Sequence, residues 1–266
     1  MQHLRSVTIL GLGEAGGEMA RDLLRAGVHV RGYDPDRAKR VDGVEHANDE
    51  ADAVRGTQLV LSVNWSRVSL DVARRVAPVL RAEQVYAEMN SSSPATKLAV
   101  AEIVRARALV ADVALMSPVS GRGIRTPMLV SGPGGKRFVA LLHSCGSPVT
   151  LLPGDVGVAA SRKLAQSVFS KGLAAAVVEA LEAAAKLGGD AERTLRGDII
   201  RTLMATDATT VDRLQESSRT HAVRREEEMA AAAELLQSLG VEPTMAQAAR
   251  AWLARVASAQ RDASGA

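Results

Sequence analysis

A glycine turn directly follows the first apolar segment of the chain. It reads Gly-Leu-Gly-Glu-Ala-Gly, after a strand-like run (7–10) and at the start of a helical stretch (15–25). Gly11 permits a tight turn, Gly13 lets a phosphate approach the backbone, and Gly16 lets the helix pack closely on the strand. The free amides and positive dipole end of such a helix attract phosphates. The predicted dinucleotide contacts in this turn are Gly11, Leu12, Gly13, Glu14, Ala15 and Gly16.

Asp34 stands at the end of the second predicted strand (28–33), about 20 residues after the glycine turn. A carboxylate at this position can accept hydrogen bonds from the adenosine ribose hydroxyls, which suits NAD. The basic residues Arg37, Lys39 and Arg40 follow it and could contact the 2′-phosphate of NADP, which Asp34 would repel. We therefore expect a nicotinamide cofactor, NAD or NADP, with NAD favoured by Asp34.

Polar residues also follow the third and fourth predicted strands. Val63 and Asn64 come at the end of the third strand, and Asn90 and Ser91 come just after the fourth. In doubly wound sheets, ligands bind outside the carboxyl ends of the strands. We expect Val63 and Asn64 to contact the cofactor. Asn90 and Ser91 are expected to face the nicotinamide or the substrate.

Two lysines and a serine share one face of a long predicted helix. Lys163, Ser167 and Lys171 are spaced i, i+4 and i+8. A lysine in a partly desolvated cleft can exchange a proton near neutral pH, and hydride transfer to a carbonyl needs a proton for the new alkoxide. By spacing alone, however, a stripe of exposed and solvated lysines is the more ordinary interpretation.

The order of elements changes near residue 154. Strand and helix patterns alternate up to that point, which predicts an α/β Rossmann-type doubly wound sheet over residues 1–154. Strand signals then disappear, and residues 155–266 are predicted to form an all-helical substrate or dimerisation domain. The predicted helices of this second region span residues 156–187, roughly 190–215, 218–239 and 243–258.

Composition excludes several classes of function. Aromatic residues make up 2% of the 266 residues and the net charge of +3 is spread along the chain, which argues against nucleic-acid binding but allows a mild attraction for a small anionic substrate. The single cysteine, Cys145, excludes an intrachain disulfide and a thiolate metal cluster, and we expect no metal. The chain shows neither a signal-peptide pattern nor an apolar run of roughly 18 residues, so we expect a cytoplasmic protein without membrane contact.

Three segments together resemble the β-hydroxyacid dehydrogenase family, which includes 3-hydroxyisobutyrate dehydrogenases and is related to 6-phosphogluconate dehydrogenase. They are the glycine turn, the loop Ser-Pro-Val-Ser-Gly at 117–121 and the stretch 157–163, which is similar to the family's G-x-x-x-x-x-K signature. The resemblance implies that Lys163 is the proton-donating lysine. It also implies a homodimer and a substrate site lined by Asn90, Ser91, Ser117, Val119 and Ser120.

Longer segments are similar to a less characterised bacterial branch of the same superfamily. They cover residues 89–97, 112–133, 170–181 and 220–245, so that the resemblance extends over nearly the whole chain. That branch has a short helical C-terminal domain once catalogued as being of unknown function.

The chain departs from the family pattern at several positions. Ser167 stands where the family usually has Asn, Ala15 where it has Met, and Arg122 where it has a second glycine. Arg122 and Arg125 are either a clamp for a substrate carboxylate or phosphate or ordinary surface charge. A lone histidine such as His221 is more often structural than catalytic, although in a dimer it could reach a partner's cleft. We nevertheless expect the substrate to be faced by Ser167, Lys171 and His221.

The leading hypothesis is an NAD(P)-dependent dehydrogenase that moves a hydride between the nicotinamide and the hydroxyl carbon of a small hydroxy acid. Lys163 would act as general acid in reduction and as general base in oxidation. The alternatives on the same fold are an imine reductase and a sugar-acid oxidoisomerase. A non-catalytic nucleotide-binding regulatory protein is the alternative from another class, supported only by Ser167. The expected assembly is a homodimer through the helical C-terminal domain.

Overall fold

A computed structural model describes residues 3–264 of the chain. It contains two compact units, Met1–Gln166 and Ser167–Ala266. The first unit is built on a parallel-rich sheet with helices, and the second is all-helical, which confirms the predicted fold class. The last strand ends at Leu151, close to the change of composition at residue 154, whereas the two units divide later, within a long helix.

The described part of the first unit contains one eight-stranded sheet with the order β3-β2-β1-β4-β5-β6-β7-β8. All neighbouring strands are parallel except β6 and β7, which are antiparallel. The order reverses at β1, since the chain adds β2 and β3 on one side and β4 on the other. The strands are β1 (Ser6–Leu10), β2 (His29–Tyr33), β3 (Glu45–His46), β4 (Leu59–Ser62), β5 (Val85–Glu88), β6 (Leu109–Leu115), β7 (Met128–Ser131) and β8 (Val149–Leu151).

Helices cover both faces of this sheet, because its central strands are apolar on both sides. On one face, Met19, Leu23, Phe138 and Leu142 belong to a buried core with the strands. On the other face, Val72, Val76, Val100 and Val104 form a second core. The helices of this unit are α1 (Glu14–Arg25), α2 (Glu50–Ala53), α3 (Ser69–Val76), α4 (Pro94–Val104) and α5 (Gly135–His143).

Local sequence explains where two of these helices begin and end. Ser93 is the N-cap of α4, with its hydroxyl accepting a hydrogen bond from the Thr96 N–H at 3.1 Å, and Pro94 occupies the first helical position, as the sequence predicts. The sequence predicts a helix over residues 69–80, but the α-helix ends at Val76 and continues as a 3-10 turn. Pro78 is the physical reason, because it has no N–H to donate to the preceding turn.

The second unit consists of helices only. The long helix α6 (Val158–Leu187) enters it from the first unit, and glycines with positive φ at residues 188 and 189 end that helix. Within residues 3–264, no helix is both long and apolar enough to cross a membrane. The remaining helices are α7 (Ala191–Met204), α8 (Thr210–Thr220), α9 (Ala222–Ser238) and α10 (Thr244–Ser264).

The continuous helix predicted over residues 190–215 is wrong. The helix stops at Met204, and Asp207 forms a turn before the next helix begins at Thr210. The Asp207 carboxylate accepts hydrogen bonds from the Thr209 N–H at 3.0 Å and from the Thr210 hydroxyl at 3.0 Å. Short polar side chains of this kind compete with the helical hydrogen bonds of the backbone, so the Thr-Asp-Ala-Thr-Thr segment interrupts the helix.

Candidate cofactor and substrate site

A cavity of about 860 Å³ opens at the carboxyl ends of β1 and β4, next to the point where the strand order reverses. This is where open α/β sheets bind their ligands. Eight residues that the sequence predicts as cofactor contacts line the cavity, namely Gly11, Gly13, Glu14, Ala15, Gly16, Asp34, Val63 and Asn64.

The three glycines of the turn have different surroundings. Gly11 has a φ of +101°, and a Cβ atom there would lie 2.3 Å from the carbonyl oxygen of Val63. A Cβ atom on Gly16 would lie 1.8 Å from the carbonyl oxygen of Gly11. Gly13, by contrast, has nothing within 4 Å of its hypothetical Cβ atom. Gly11 and Gly16 are therefore required by the fold, whereas Gly13 keeps space open at the N-terminus of α1.

Alanine substitutions should separate these two roles. We expect Gly13→Ala to fold normally, because the φ of −63° suits alanine. The added methyl group should keep a phosphate from the backbone amides. Dinucleotide binding should therefore weaken at least about tenfold, as for the loss of one hydrogen bond to a charged phosphate. Gly11→Ala should instead lower thermal stability, because alanine disfavours positive φ and clashes with Val63. Differential scanning fluorimetry and cofactor titration measure the two effects. Gly172→Ala, at an open position on α6, is the control, and equal cofactor affinity for Gly13→Ala and this control would contradict the assignment.

Two backbone amides fix the carboxylate of Asp34 at the edge of the cavity. Its Oδ2 accepts a hydrogen bond from the Leu12 N–H at 2.8 Å, and its Oδ1 accepts one from the Asp36 N–H at 2.9 Å. Leu12 itself is buried in the core, so it supports the site through its amide. Lys39 lines the same cavity, and it lines a smaller adjacent cavity together with Arg37 and Arg40.

Sequence reasoning missed several residues on the far wall of the cavity. Trp65 is 69% exposed, and the Arg67 guanidinium carbon lies 5.3 Å from the centroid of its ring. Arg75 donates a hydrogen bond to Glu50 at 2.7 Å, and both residues line the cavity. Trp65 could have been found from the sequence, because an aromatic residue directly follows Asn64 at the end of β4.

Asn64 and Asn90 tie together the ends of β4 and β5. The Asn64 N–H donates to Asn90 Oδ1 at 2.6 Å, and Asn90 Nδ2 donates to Asn64 Oδ1 at 3.0 Å. The Asn90 N–H also donates to Glu88 Oε1 at 3.2 Å, and Asn90 is buried. Asn90 therefore holds Asn64, which faces the cavity.

The structure joins Lys163 to the carboxyl end of β5. Lys163 Nζ donates a hydrogen bond to Ser91 Oγ at 2.7 Å. Lys163 is half-buried and Ser91 is exposed. Two residues predicted to face the substrate are thus in direct contact, at the edge of the sheet that also carries the glycine turn.

A buried ion cluster lies beneath this contact. Lys97 on α4 is 1% exposed, and its Nζ lies 3.3 Å from Asp112 Oδ1 and 4.0 Å from Glu88 Oε1. Glu88 and Asp112 are register partners on β5 and β6, so the ammonium group compensates two adjacent carboxylates. Burial raises the pKa of Glu88, and the ammonium group of Lys97 acts against this shift.

Asp112 also caps the first turn of α6. Its Oδ2 accepts hydrogen bonds from the Gly157 N–H at 2.9 Å and from the Ala160 N–H at 3.0 Å. Ser131 on β7 adds a third bond by accepting from the Ala159 N–H at 3.1 Å. The helix that carries Lys163 is therefore anchored to the sheet one turn before that residue.

The loop that resembles the family's substrate-binding loop packs along α1. The Gly121 N–H donates to Glu18 Oε2 at 2.9 Å, and the Ile124 N–H donates to Asp22 Oδ2 at 3.0 Å. In the predicted substrate segment Val119 is buried, Ser117 is half-buried and Ser120 is exposed. The arginines at 122 and 125 line a second cavity rather than the large one.

Three predicted substrate residues belong to the second unit. Ser167 is half-buried and Lys171 is exposed, and both lie on α6. His221 is exposed between α8 and α9. Their roles stay predictions. Within residues 3–264, no group of three or more histidine, cysteine, aspartate and glutamate side chains could hold a metal ion.

The glycine turn, the cavity and Asp34 define a dinucleotide-binding protein of the Rossmann type. Residues 6–137 match the NAD binding domain of 6-phosphogluconate dehydrogenase, and residues 184–256 match a domain of unknown function, DUF1932. The chain therefore combines a 6-phosphogluconate dehydrogenase-type NAD-binding domain with a DUF1932 domain. This confirms the family resemblance seen in the sequence.

Solved structures agree with this assignment. A conserved protein of unknown function, described as structurally similar to 3-hydroxyacid dehydrogenases, is 25% identical, with 96% of this chain and 98% of that chain covered and a TM-score of 0.62. An imine reductase from Pseudomonas sp. is 20% identical, with 97% and 95% covered and a TM-score of 0.78. A reductive aminase from Aspergillus terreus, in complex with NADPH and ethyl-5-oxohexanoate, is 18% identical, with 96% and 94% covered and a TM-score of 0.77. The last two show the shared fold.

Proposed function

We propose that the protein is an NAD(P)-dependent oxidoreductase that transfers a hydride between the nicotinamide and a small hydroxy acid or its keto or aldehyde form. The observation that carries the proposal is the 2.7 Å hydrogen bond from Lys163 Nζ to Ser91 Oγ. It lies at the carboxyl end of a strand in a domain whose neighbouring strands form a dinucleotide cavity. The 25% identical protein of unknown function is described as structurally similar to 3-hydroxyacid dehydrogenases, and this supports the substrate class.

Lys163 is the proposed general acid. In reduction, the hydride adds to the carbonyl carbon, and the carbonyl oxygen takes the Lys163 proton as its negative charge develops. A bound nicotinamide would supply or accept the hydride, and in oxidation neutral Lys163 would remove the hydroxyl proton. Ser91 accepts a hydrogen bond from the ammonium group and so fixes the direction in which that group points.

The cofactor is proposed to be NAD in preference to NADP. Asp34 is held at the edge of the cavity by two backbone amides, where its carboxylate can accept hydrogen bonds from ribose hydroxyls. Lys39 lines the same cavity and would favour a 2′-phosphate, and the reductive aminase of the same fold was solved with NADPH. Titration with both reduced cofactors decides between them.

Reduction of a carbon–nitrogen double bond is the second candidate. Its support is the fold shared with an imine reductase and a reductive aminase over nearly the whole chain. The same lysine would then protonate nitrogen instead of oxygen.

A substrate panel tests the proposal. Purified protein is mixed with each cofactor and with hydroxy acids, keto acids, semialdehydes and cyclic imines, while the absorbance of the reduced nicotinamide is followed. Turnover of a hydroxy acid or its carbonyl form is the expected result. Turnover of imines alone would replace the leading proposal with the second candidate. Cofactor binding without turnover of any compound would instead favour a regulatory nucleotide-binding protein.

We also propose that the protein works as a homodimer through its helical unit. Within residues 167–187 of α6, only Ala183 and Ala184 are buried. Large apolar side chains elsewhere in this unit are exposed as well, such as Met204 at 81% and Val211 at 72%. Exposed apolar surface, where it forms a large patch, marks protein–protein contacts. A second copy of the chain would cover it.

Phe169→Asp should therefore convert the dimer into a monomer. Phe169 is 69% exposed on α6, and a charge in an apolar interface is strongly unfavourable. Light scattering after size-exclusion chromatography should give twice the chain mass of 27.9 kDa for the parent and one chain mass for the variant. Leu98→Asp, at an exposed position on α4, is the control and should leave the mass unchanged. A monomeric parent protein would rule the dimer out.

A further inference from the structure

One face of α1 carries alternating charges and lies against the loop after β6. Glu18, Arg21, Asp22 and Arg25 are spaced i, i+3, i+4 and i+7, so they form a single stripe along the helix. This stripe lies outside the set of residues that line the cofactor cavity. It is a distinct surface of the first unit.

The two acidic residues of the stripe hold the loop. Glu18 accepts from the Gly121 N–H and Asp22 accepts from the Ile124 N–H. The contact is close, because a Cβ atom on Gly123 would lie 2.0 Å from Asp22 Oδ2. These bonds fix the loop backbone on both sides of Arg122.

The arginines around this contact carry more positive charge than the two acidic residues neutralise. Arg25 donates to Asp22 Oδ1 at 2.6 Å, whereas the guanidinium groups of Arg21, Arg122 and Arg125 form no hydrogen bond or ion pair with any other described residue. Together these arginines and the two acids line a cavity of about 360 Å³. Four positive and two negative charges leave a formal charge of +2 at the cavity.

Such a cavity has the properties of an anion site. Guanidinium groups bind phosphate and carboxylate oxygens through two parallel hydrogen bonds, and a cleft with an excess of positive charge attracts anions. Like charges held close together repel each other, and a bound anion relieves that repulsion. Because two carboxylates face four guanidinium groups, Glu18 and Asp22 neutralise the cluster only in part.

We infer that this second cavity, between the stripe on α1 and the loop after β6, binds a phosphorylated small molecule that carries at least two negative charges. Arg122 and Arg125 contribute from the loop, and Arg21 contributes from the helix. The site is separate from the dinucleotide cavity, and no residue lines both. This places the two loop arginines in a ligand site other than the groove in which a substrate clamp was expected.

Pyrophosphate is the probe for the test. Isothermal titration at low ionic strength should give saturable binding of one pyrophosphate per chain in this site, with lower affinity for inorganic phosphate. Arg122→Gln and Arg125→Gln should each weaken that binding at least about fivefold, as for loss of a charge-assisted hydrogen bond. Arg105→Gln is the matched control, since Arg105 is an exposed arginine paired with Glu102 at the end of α4.

The titration is repeated with saturating reduced cofactor, because pyrophosphate could also occupy the glycine turn. Binding that persists with cofactor and is lost in Arg122→Gln supports the second site, whether or not the protein proves to be a dehydrogenase. Three results would overturn it: no saturable binding to the parent protein, an equal loss of affinity in Arg105→Gln, or complete displacement of pyrophosphate by the cofactor.

Discussion

Lys163→Met should reduce kcat by about 100-fold or more on the substrate that the panel identifies, while cofactor binding stays close to that of the parent protein. General acid–base catalysis contributes factors of this size, and methionine preserves most of the side-chain volume without a proton to give. The Lys163 ammonium group contacts Ser91, and Lys163 is not among the residues that line the cofactor cavity, so its loss should leave that cavity intact.

The pH dependence gives a second readout of the same substitution. The rate of the parent protein should change with pH as Lys163 gains or loses its proton. This pH dependence should disappear in Lys163→Met. Lys186→Met, an exposed lysine on the same helix, is the control and should keep both the rate and the profile. A kcat for Lys163→Met within a fewfold of the parent value would show that another group supplies the proton.

Asp112→Asn should lower the free energy of unfolding by about 3 kcal/mol, because it removes the nearer of the two carboxylate partners of the buried Lys97 ammonium group. Lys97 is almost fully buried, and Glu88 is the more distant of its two carboxylates, at 4.0 Å. The substitution also weakens the cap on α6, since a neutral amide oxygen attracts the Gly157 and Ala160 amides less than a carboxylate does.

Urea unfolding monitored by circular dichroism measures this effect. Asp71→Asn is the matched control, because Asp71 pairs with Arg74 at the surface and such pairs contribute about 0–1 kcal/mol. If Asp112→Asn unfolds at the same urea concentration as the surface control, the ion cluster is not a stabilising anchor.

The cofactor half of the site could be predicted because its determinants are local. In the turn from residue 11 to 16, the backbone conformation and the close contacts between adjacent elements both require glycine at fixed positions. The position of Asp34 relative to the glycine turn follows from the length of one βαβ unit. The cap at Ser93 is equally local, since its hydroxyl bonds to an amide three residues away.

The anchor beneath the substrate half could not be predicted in the same way. Lys97, Asp112 and Gly157 are brought together by strand pairing and helix packing between segments far apart in the chain. The sequence carried only a weak sign, a carboxylate within an otherwise apolar strand. Strand direction is similarly non-local: nothing near residue 128 indicates that β7 runs antiparallel to β6.

The two loop arginines illustrate a further limit of the sequence. Their position beside a resemblance to a substrate loop suggested a clamp on the substrate, with surface charge as the alternative. The structure places both in one cavity with Arg21 and Arg25, which lie about a hundred residues earlier in the chain. Only the packing of the loop on Glu18 and Asp22 shows that the four arginines share one cavity.

The antiparallel pairing of β6 with β7 has a consequence for how this scaffold can change. Antiparallel neighbours need only about two residues to connect them, yet this chain uses residues 116–127 between Leu115 and Met128. The surplus length is not needed to close the sheet, and longer connections cost little entropy. Exchanging this segment among related proteins should therefore alter ligand choice without changing strand pairing, provided that its contacts with Glu18 and Asp22 on α1 are kept.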